Sequence, residues 1–183
     1  LPMFRAHGTD CRREPWVFMD ETNQFYDSMV SFIKLRYKLM PYIYSVAAKV
    51  WKDDEMFLRP LFTEFTDKTV EDISNQFMFG PSIMVCPVTK PMYFDKNGQA
   101  LNCKKTWKVY LPQDCSWYDW WTGKLYKGGQ WLEADADISK IPLFVREGSI
   151  IPVASVDSKE SCKVEKLCFP VGEGRCKAFQ LYE

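Results

Sequence analysis

The hydrophobic pattern changes its period near residue 54, and this change constrains the fold more than any other feature. Between Phe25 and Trp51, apolar side chains recur at three- and four-residue steps, as expected for a helix. Pro41 lies in the middle of this run and removes one backbone donor, so we expect a kink near Leu39 or Met40. The first part of the chain is therefore predicted to contain one long, kinked helix.

Beyond residue 54 the sequence is typical of an all-β structure. Short apolar or alternating segments are separated by glycine and proline turns, and Asn97-Gly98 is a hairpin signal. Turn signals at intervals of about eight to twelve residues indicate an antiparallel β-sandwich. The predicted strands lie at Met56–Phe65, Gln76–Phe79, Ile83–Val88, Lys105–Leu111, Trp117–Trp121, Leu125–Tyr126, Trp131–Ala134, Leu143–Arg146 and Ile150–Val153.

Both ends of the chain suggest a piece of a larger protein. Apolar Leu1–Phe4 runs into polar Arg5–Glu14, which resembles a buried strand passing into a loop at the carboxyl end of an α/β-barrel strand. At the other end, a small and polar linker precedes two predicted strands, Cys162–Phe169 and Lys177–Tyr182. A lone hairpin is marginally stable in water, so we expect these strands to begin a truncated second domain.

The charge and cysteine content exclude several classes of partner and site. The chain has 24 basic and 24 acidic residues, so no strong field attracts nucleic acid or an anionic membrane. No apolar run is long enough to span a bilayer. Seven cysteines without a C-x-x-C pair argue against a zinc site and against a fully paired disulfide framework. We therefore expect reduced thiols, no metal, and a cytoplasmic protein.

His7 is the only histidine in the chain and the first candidate for a functional residue. A lone histidine is more often structural, but the charged residues around this one favour a functional loop. Such a cluster could bind hydroxyl groups or position a carboxylate, whereas the simpler interpretation is a set of ion pairs that fixes the loop. We keep the simpler interpretation for most of these neighbours, which are Arg5, Asp10, Arg12, Arg13 and Glu14.

The aromatic run Trp117–Trp121 is the second candidate, because sugar rings stack on aromatic faces that have polar neighbours. Strand alternation would split these rings between two faces of a sheet, so we favour the interpretation that they fill and edge the core.

Paired carboxylates would be the third candidate, since a retaining glycosidase needs two carboxyl groups about 5 Å apart. Nothing in the spacing of Asp10, Glu14, Asp20 and Glu21 singles out such a pair. The sequence also has no serine-elbow motif and no phosphate loop.

Several motifs, taken in order, resemble glycoside hydrolase family 31, which contains α-glucosidases and α-xylosidases. The resemblance covers nearly the whole chain. It rests on segments 2–10 (PMFRAHGTD), 13–16 (REPW), 36–45 (RYKLMPYIYS), 59–62 (RPLF), 76–81 (QFMFGP), 117–123 (WYDWWTG) and 141–148 (IPLFVREG).

The resemblance implies a retaining hydrolase with a (β/α)8 barrel followed by proximal and distal β-sandwiches. Residues 1–53 would be the end of the barrel, with its last loop and helix. Residues 54–154 would form the proximal sandwich, and residues 155–183 would begin the truncated distal one. The fold expected for this chain is therefore mostly β, an antiparallel sandwich preceded by the last barrel helix.

The family's nucleophile and acid/base aspartates lie upstream of the R-x-H-G run, so the resemblance implies no catalytic residue in this chain. His7 is the one residue carried over as substrate-binding, through hydroxyl groups of the sugar being cleaved, while Arg5 would support the loop. The family needs no metal or organic cofactor. The substrate would be an oligosaccharide with terminal α-linked glucose or xylose, and the residues present do not choose between the two.

For the isolated chain, we expect no hydrolysis. The alternatives are a non-catalytic carbohydrate-binding module, based on the tryptophan run, and a structural β-sandwich that braces a barrel. The helix carries apolar side chains on more than one face, including Leu35 and Tyr37 as well as Phe32 and Ile33. Large exposed apolar surfaces drive association, so we expect a homo-oligomer formed through this helix, or a rearrangement of the helix.

Overall fold

The computed structural model describes residues 5, 7–10, 12–18, 24–155, 164–170 and 179–180. A 3-10 helix covers Pro15–Phe18, and the predicted long helix is divided into α1 (Gln24–Lys38) and α2 (Met40–Asp53). Leu39 lies between them, and Pro41 occupies the first turn of α2, where a missing backbone N–H costs no hydrogen bond. The predicted kink near Leu39 or Met40 is therefore confirmed.

Contacts along the backbone divide the chain into two compact units. The first unit contains the chain up to Glu55 together with three antiparallel strands in the order β11-β10-β9. These strands are β9 (Ile150–Ala154), β10 (Val164–Cys168) and β11 (Phe179–Gln180). Within this unit α2 packs on β9, and Tyr42 and Val46 form the buried face of the helix.

The second unit covers Met56–Ser149 together with Phe169 and Pro170. Its main sheet has six antiparallel strands in the order β1-β2-β3-β8-β5-β6, and β4 and β7 form a separate antiparallel pair. The strands are β1 (Leu58–Pro60), β2 (Phe77–Phe79), β3 (Ile83–Val85), β4 (Thr106–Leu111), β5 (Trp117–Asp119), β6 (Leu125–Tyr126), β7 (Gln130–Asp135) and β8 (Leu143–Arg146).

One core joins the six-stranded sheet to the β4–β7 pair. Met84, Trp117 and Phe144 of the large sheet share a buried cluster with Val109 and Ala134 of the pair. Burial of these side chains is the main stabilising term for two packed sheets. The mostly β, antiparallel sandwich expected from the sequence is confirmed.

The prediction for Met56–Phe65 differs from the structure in detail. The segment Met56–Phe65 contains only a three-residue strand, β1, which ends at Pro60 and continues into a 3-10 helix, Leu61–Thr63. Pro60 has no N–H for a strand ladder, and its carbonyl accepts the Thr63 hydroxyl at 2.7 Å, which fixes the new direction of the chain.

The predicted strand Ile150–Val153 is β9, which pairs with β10 through partners such as Ile151 and Leu167. The turn before it contains Gly148 with φ of 75°, a conformation that favours glycine. The domain boundaries at residues 53 and 154 stay a prediction from the sequence.

Candidate functional site

The segment around His7 contains the residue for which the family resemblance implies contact with a substrate. Among its described residues, Arg5, His7 and Asp10 are all exposed, so His7 is not a core histidine. Its imidazole carries one donor and one acceptor when neutral, which suits hydrogen bonds to hydroxyl groups. The contact with substrate itself stays a prediction.

Of the four acidic residues near His7, the structure describes two, Asp10 and Glu14. Asp10 is exposed, whereas Glu14 is half-buried immediately before the 3-10 helix Pro15–Phe18. The Oε2 atom of Glu14 is buried and has no hydrogen-bond partner within the described residues. Asp20 and Glu21 lie outside the described residues.

The aromatic run Trp117–Trp121 is built into the sandwich. Trp117 is fully buried, and its indole N–H donates to the Pro112 carbonyl at 3.0 Å. Trp120 stacks on Phe169 with ring centroids 6.4 Å apart, and the Trp121 indole N–H donates to the Ile141 carbonyl at 2.7 Å. These contacts favour the core-forming interpretation of the run over a sugar platform.

Asp119 organises the turn that follows β5. Its Oδ1 atom accepts from the backbone N–H of Trp121 at 2.9 Å and from that of Thr122 at 2.8 Å. Gly123 follows with φ of 69° and donates to the Asp119 carbonyl at 2.8 Å. This motif therefore encodes a tight turn between β5 and β6.

Gln76 connects the two sheets through its side chain. Only 3% of the residue is exposed, and its amide makes two hydrogen bonds with the backbone of Tyr110. The Nε2 atom donates to the Tyr110 carbonyl and the Oε1 atom accepts from the Tyr110 N–H, each at 2.8 Å. The amide thus acts as an extra strand residue along the edge of β4.

Asp67 extends this buried polar network. Its side chain accepts the Thr69 N–H at 3.0 Å, as the N-cap of the 3-10 helix Lys68–Asp72, and accepts the Tyr110 hydroxyl with its other oxygen. Burial acts to raise the pKa of Asp67, but the hydrogen bonds outweigh it and the pKa lies below the ordinary value. Burial, and then the bond to Asp67, raise the pKa of Tyr110.

A mostly buried ion triplet consists of Arg59, Glu64 and Arg146. Glu64 accepts from Arg59 of β1 with one oxygen and from Arg146 of β8 with the other, the latter at 3.2 Å. The Arg146 guanidinium lies over the Phe65 ring, 4.9 Å from its centroid. Removing Glu64 would take this carboxylate partner from both guanidinium groups, so Glu64 links β1 to β8 within this unit.

The described residues offer neither a metal site nor a membrane-spanning helix. No group of three or more His, Cys, Asp or Glu side chains in that part of the chain could hold a metal ion. None of the described helices is long and apolar enough to pass through a bilayer.

Comparison with protein families places two matches in order along the chain. Residues 1–46 match the glycosyl hydrolases family 31 TIM-barrel domain, and residues 54–151 match the glycosyl hydrolase family 31 C-terminal domain. The second match alone covers more than half of the chain.

Characterised relatives are similar over most of this chain. An alpha-xylosidase of Saccharolobus solfataricus is 39% identical over 153 residues, which is 83% of this chain and 19% of the relative. Alpha-glucosidase 2 of Bacillus thermoamyloliquefaciens is 29% identical over 160 residues, 85% of this chain and 18% of the relative. The chain therefore spans about a fifth of the length of these relatives.

Solved structures show the same fold. A GH31 alpha-xylosidase from Xanthomonas citri superimposes with a TM-score of 0.76 at 39% identity, over 90% of this chain and 17% of that one. A GH31 dextranase from Flavobacterium johnsoniae, complexed with glucose, gives a TM-score of 0.72 at 31% identity, over 90% of this chain and 19% of that one.

Proposed function

Since the chain belongs to glycosyl hydrolase family 31, we propose that it is part of a retaining α-glycosidase that removes terminal α-linked glucose or xylose from oligosaccharides. The observation that carries this proposal is the ordered match to both the barrel and the C-terminal domain of the family. In such an enzyme one carboxylate attacks the anomeric carbon while a second carboxyl group protonates the leaving oxygen, and water then releases the sugar. Both carboxyl groups would lie upstream of this chain.

His7 would bind hydroxyl groups of the sugar in this reaction. Its exposed position in the segment before Pro15 supports this role, because a core histidine could not reach a ligand. Hydrogen bonds to sugar hydroxyls that strengthen at the oxocarbenium-like transition state raise kcat as well as affinity.

The experiment compares this chain with a longer form that includes the upstream barrel, using aryl α-glucoside and aryl α-xyloside substrates. We expect the longer form to hydrolyse at least one of them with retention, and this chain alone to hydrolyse neither. Inversion by the longer form would contradict the proposed mechanism, and turnover by this chain would show that the essential carboxylates are not upstream.

In the longer form, His7→Ala should lower kcat/KM by about a hundredfold, as expected when transition-state hydrogen bonds are lost. Arg12→Ala is the matched control, because Arg12 is exposed in the same segment and has no proposed contact with sugar. Equal losses in the two variants would show that His7 acts only through the structure of the loop.

We also propose that the isolated chain self-associates through α2. Tyr44, Ala47, Ala48 and Trp51 are all exposed and lie at helical spacing on one stripe, with Tyr44 79% and Trp51 86% exposed. A second copy of the same stripe would bury these rings. Light scattering during gel filtration should show a dimer that Trp51→Glu converts to a monomer, whereas Phe94→Glu, in the other unit, should not. A monomer at all concentrations would contradict this proposal.

We propose that the protein is located in the cytoplasm, because its cysteines are expected to be reduced thiols. We also propose that it has no nucleic-acid or membrane partner, because its charge is balanced. Among the described residues, Cys86, Cys103 and Cys115 are free thiols. Burial raises the pKa of Cys115 to about 11 and also raises that of Cys86, which disfavours the reactive thiolate form of both. The test uses denatured protein from its native host, in which free thiols are blocked and a reductant is then added. Any new thiol counted after reduction would reveal a disulfide and so contradict this location.

A further inference from the structure

The outer face of the β4–β7 pair carries a half-exposed tryptophan that the proposed function does not use. In the antiparallel register Trp131 lies opposite Tyr110, and Glu133 lies opposite Lys108. Opposite residues of an antiparallel pair point to the same face, so these four side chains share one face of the pair, on which Tyr110 is buried. Trp131 is 48% exposed, and both Lys108 and Glu133 are exposed.

The indole of Trp131 has the Tyr110 ring beside it and the Lys108 ammonium group over its face. The Tyr110 ring packs beside it, with centroids 5.1 Å apart and an angle of 50°. Tyr110 is itself held by Asp67 and Gln76, so this contact orients Trp131. The Lys108 ammonium lies 4.8 Å from the indole centroid. Lys108 is exposed, so a ligand that displaces its ammonium group would reach this face of the ring.

The chemistry of this surface suits a neutral ligand with many hydroxyl groups. A cation above the indole shows that the ring face accepts an electropositive partner, and the C–H face of a pyranose is such a partner. Lys108 can donate to sugar hydroxyls and Glu133 can accept from them. Farther along β7, Asp135 pairs with Lys140. With Lys108 and Glu133, this part of the surface therefore carries two positive and two negative groups.

We propose that Trp131, with Lys108 and Glu133, is a surface platform that binds one pyranose ring of an oligosaccharide. The identity of the ligand rests on the proposed function, which makes oligosaccharides the substrate. A protein partner fits less well, because stable protein interfaces bury about 800 Å² on each side around an apolar centre, and a single indole among charged side chains offers no such centre.

The test is a titration of the 183-residue chain with maltotriose, and with sorbitol as a polyol that has no pyranose ring. Binding is followed through the indole N–H signals in proton–nitrogen NMR spectra. We expect the Trp131 signal to move saturably with a Kd of about 1 to 10 mM, while the signal of Trp51 stays in place. No saturable change up to about 50 mM maltotriose, or an equal change with sorbitol, would overturn the proposal.

Variants separate stacking from general effects on the fold. Trp131→Phe keeps an aromatic face and should weaken binding about threefold, while Trp131→Ala should weaken it at least about tenfold, equivalent to 1.4 kcal/mol. Trp51→Ala removes a more exposed indole, in the other unit, and should leave the affinity unchanged. Equal affinity of Trp131→Ala and the parent chain would overturn the proposal, provided that both give the same circular dichroism spectrum.

The outcome is independent of the hydrolysis assay. If maltotriose does not bind at Trp131 while the longer form still hydrolyses α-glycosides, this inference is refuted and the proposed function stays in place. Binding at Trp131 without hydrolysis by the longer form would refute the proposed function and leave a sugar-binding sandwich.

Discussion

Replacement of Gln76 by methionine tests whether the buried amide holds the two sheets together. Methionine keeps the unbranched shape of the side chain and removes both hydrogen bonds to Tyr110. The Tyr110 N–H and C=O, each now bonded at 2.8 Å, would then be left without these partners in a buried position. Each buried backbone group left without a hydrogen bond costs about 1 to 3 kcal/mol. The two groups together therefore lower the free energy of unfolding by about 2 to 6 kcal/mol, before any gain from the apolar methionine.

The apolar methionine recovers part of that loss, because burying a thioether costs less than burying an amide. We therefore expect a net loss of about 3 kcal/mol in the free energy of unfolding. At a urea slope of about 1.5 kcal/mol per molar, the midpoint should fall by about 2 M. The measurement is urea unfolding followed by tryptophan fluorescence, which includes the signal of buried Trp117.

Gln130→Met is the matched control for this experiment. The Gln130 amide also donates to a backbone carbonyl, that of Lys127 at 2.6 Å, but this residue is exposed. Water replaces the lost bond there, so the expected change is below about 0.5 kcal/mol. If the two variants shift the midpoint by the same amount, the amide of Gln76 is not a structural link and the reasoning fails.

Two further predictions concern acid stability and a glycine. The lowered pKa of Asp67 means that its stabilising effect is complete above its unfolded pKa of about 3.9 and is lost as the pH falls through the lower folded value. The stability difference between the parent chain and Asp67→Asn should therefore shrink below about pH 4, and a constant difference would contradict this. Gly128→Ala should cost about 3 kcal/mol or more, since its Cβ would lie 2.2 Å from the Pro112 carbonyl oxygen. Gly123→Ala, with open space around it, should cost only about 1 kcal/mol in thermal unfolding, and equal costs would contradict the clash.

Much of the secondary structure could be predicted because its signals are local. The helical period before residue 54 and the short segments after it correspond to α1, α2 and the successive strands. Pro41 marks the helix break because proline fits the first turn of a helix better than its interior. The sequence overestimated strand length near Pro60, where one proline decides the direction of the chain.

The order of the strands could not be predicted, because it depends on contacts between distant residues. β8 lies between β3 and β5 in the sheet, although more than fifty residues separate it from β3 in the chain. Gln76 binds Tyr110 across 34 positions, and Arg146 binds Glu64 across 82. No periodicity in the sequence encodes such pairs, since each side chain alone fits an ordinary exposed position equally well.

The aromatic residues show how far alternation can be used. Strand alternation predicted that the run around Trp117 would be divided between core and edge, and Trp117 is fully buried. The same rule assigned Trp131 to a strand without indicating which face it would occupy. That choice depends on register, because Trp131 lies opposite Tyr110, whose own ring is drawn towards Asp67. The exposed indole could therefore be recognised only once the register was known.

The polar motif residues of the sandwich unit have a common physical role. Arg59, Gln76 and Asp119 direct their hydrogen bonds to partners within the unit, at a carboxylate, a strand edge and a turn. Buried polar groups are costly unless satisfied, so these motifs restrict the fold rather than recognise a sugar. His7 differs because it is exposed and polar in a segment that the sequence assigns to a barrel loop. Chemistry on the substrate is therefore expected from the barrel side of the chain, whereas Trp131 is the place where the sandwich itself can contact a sugar.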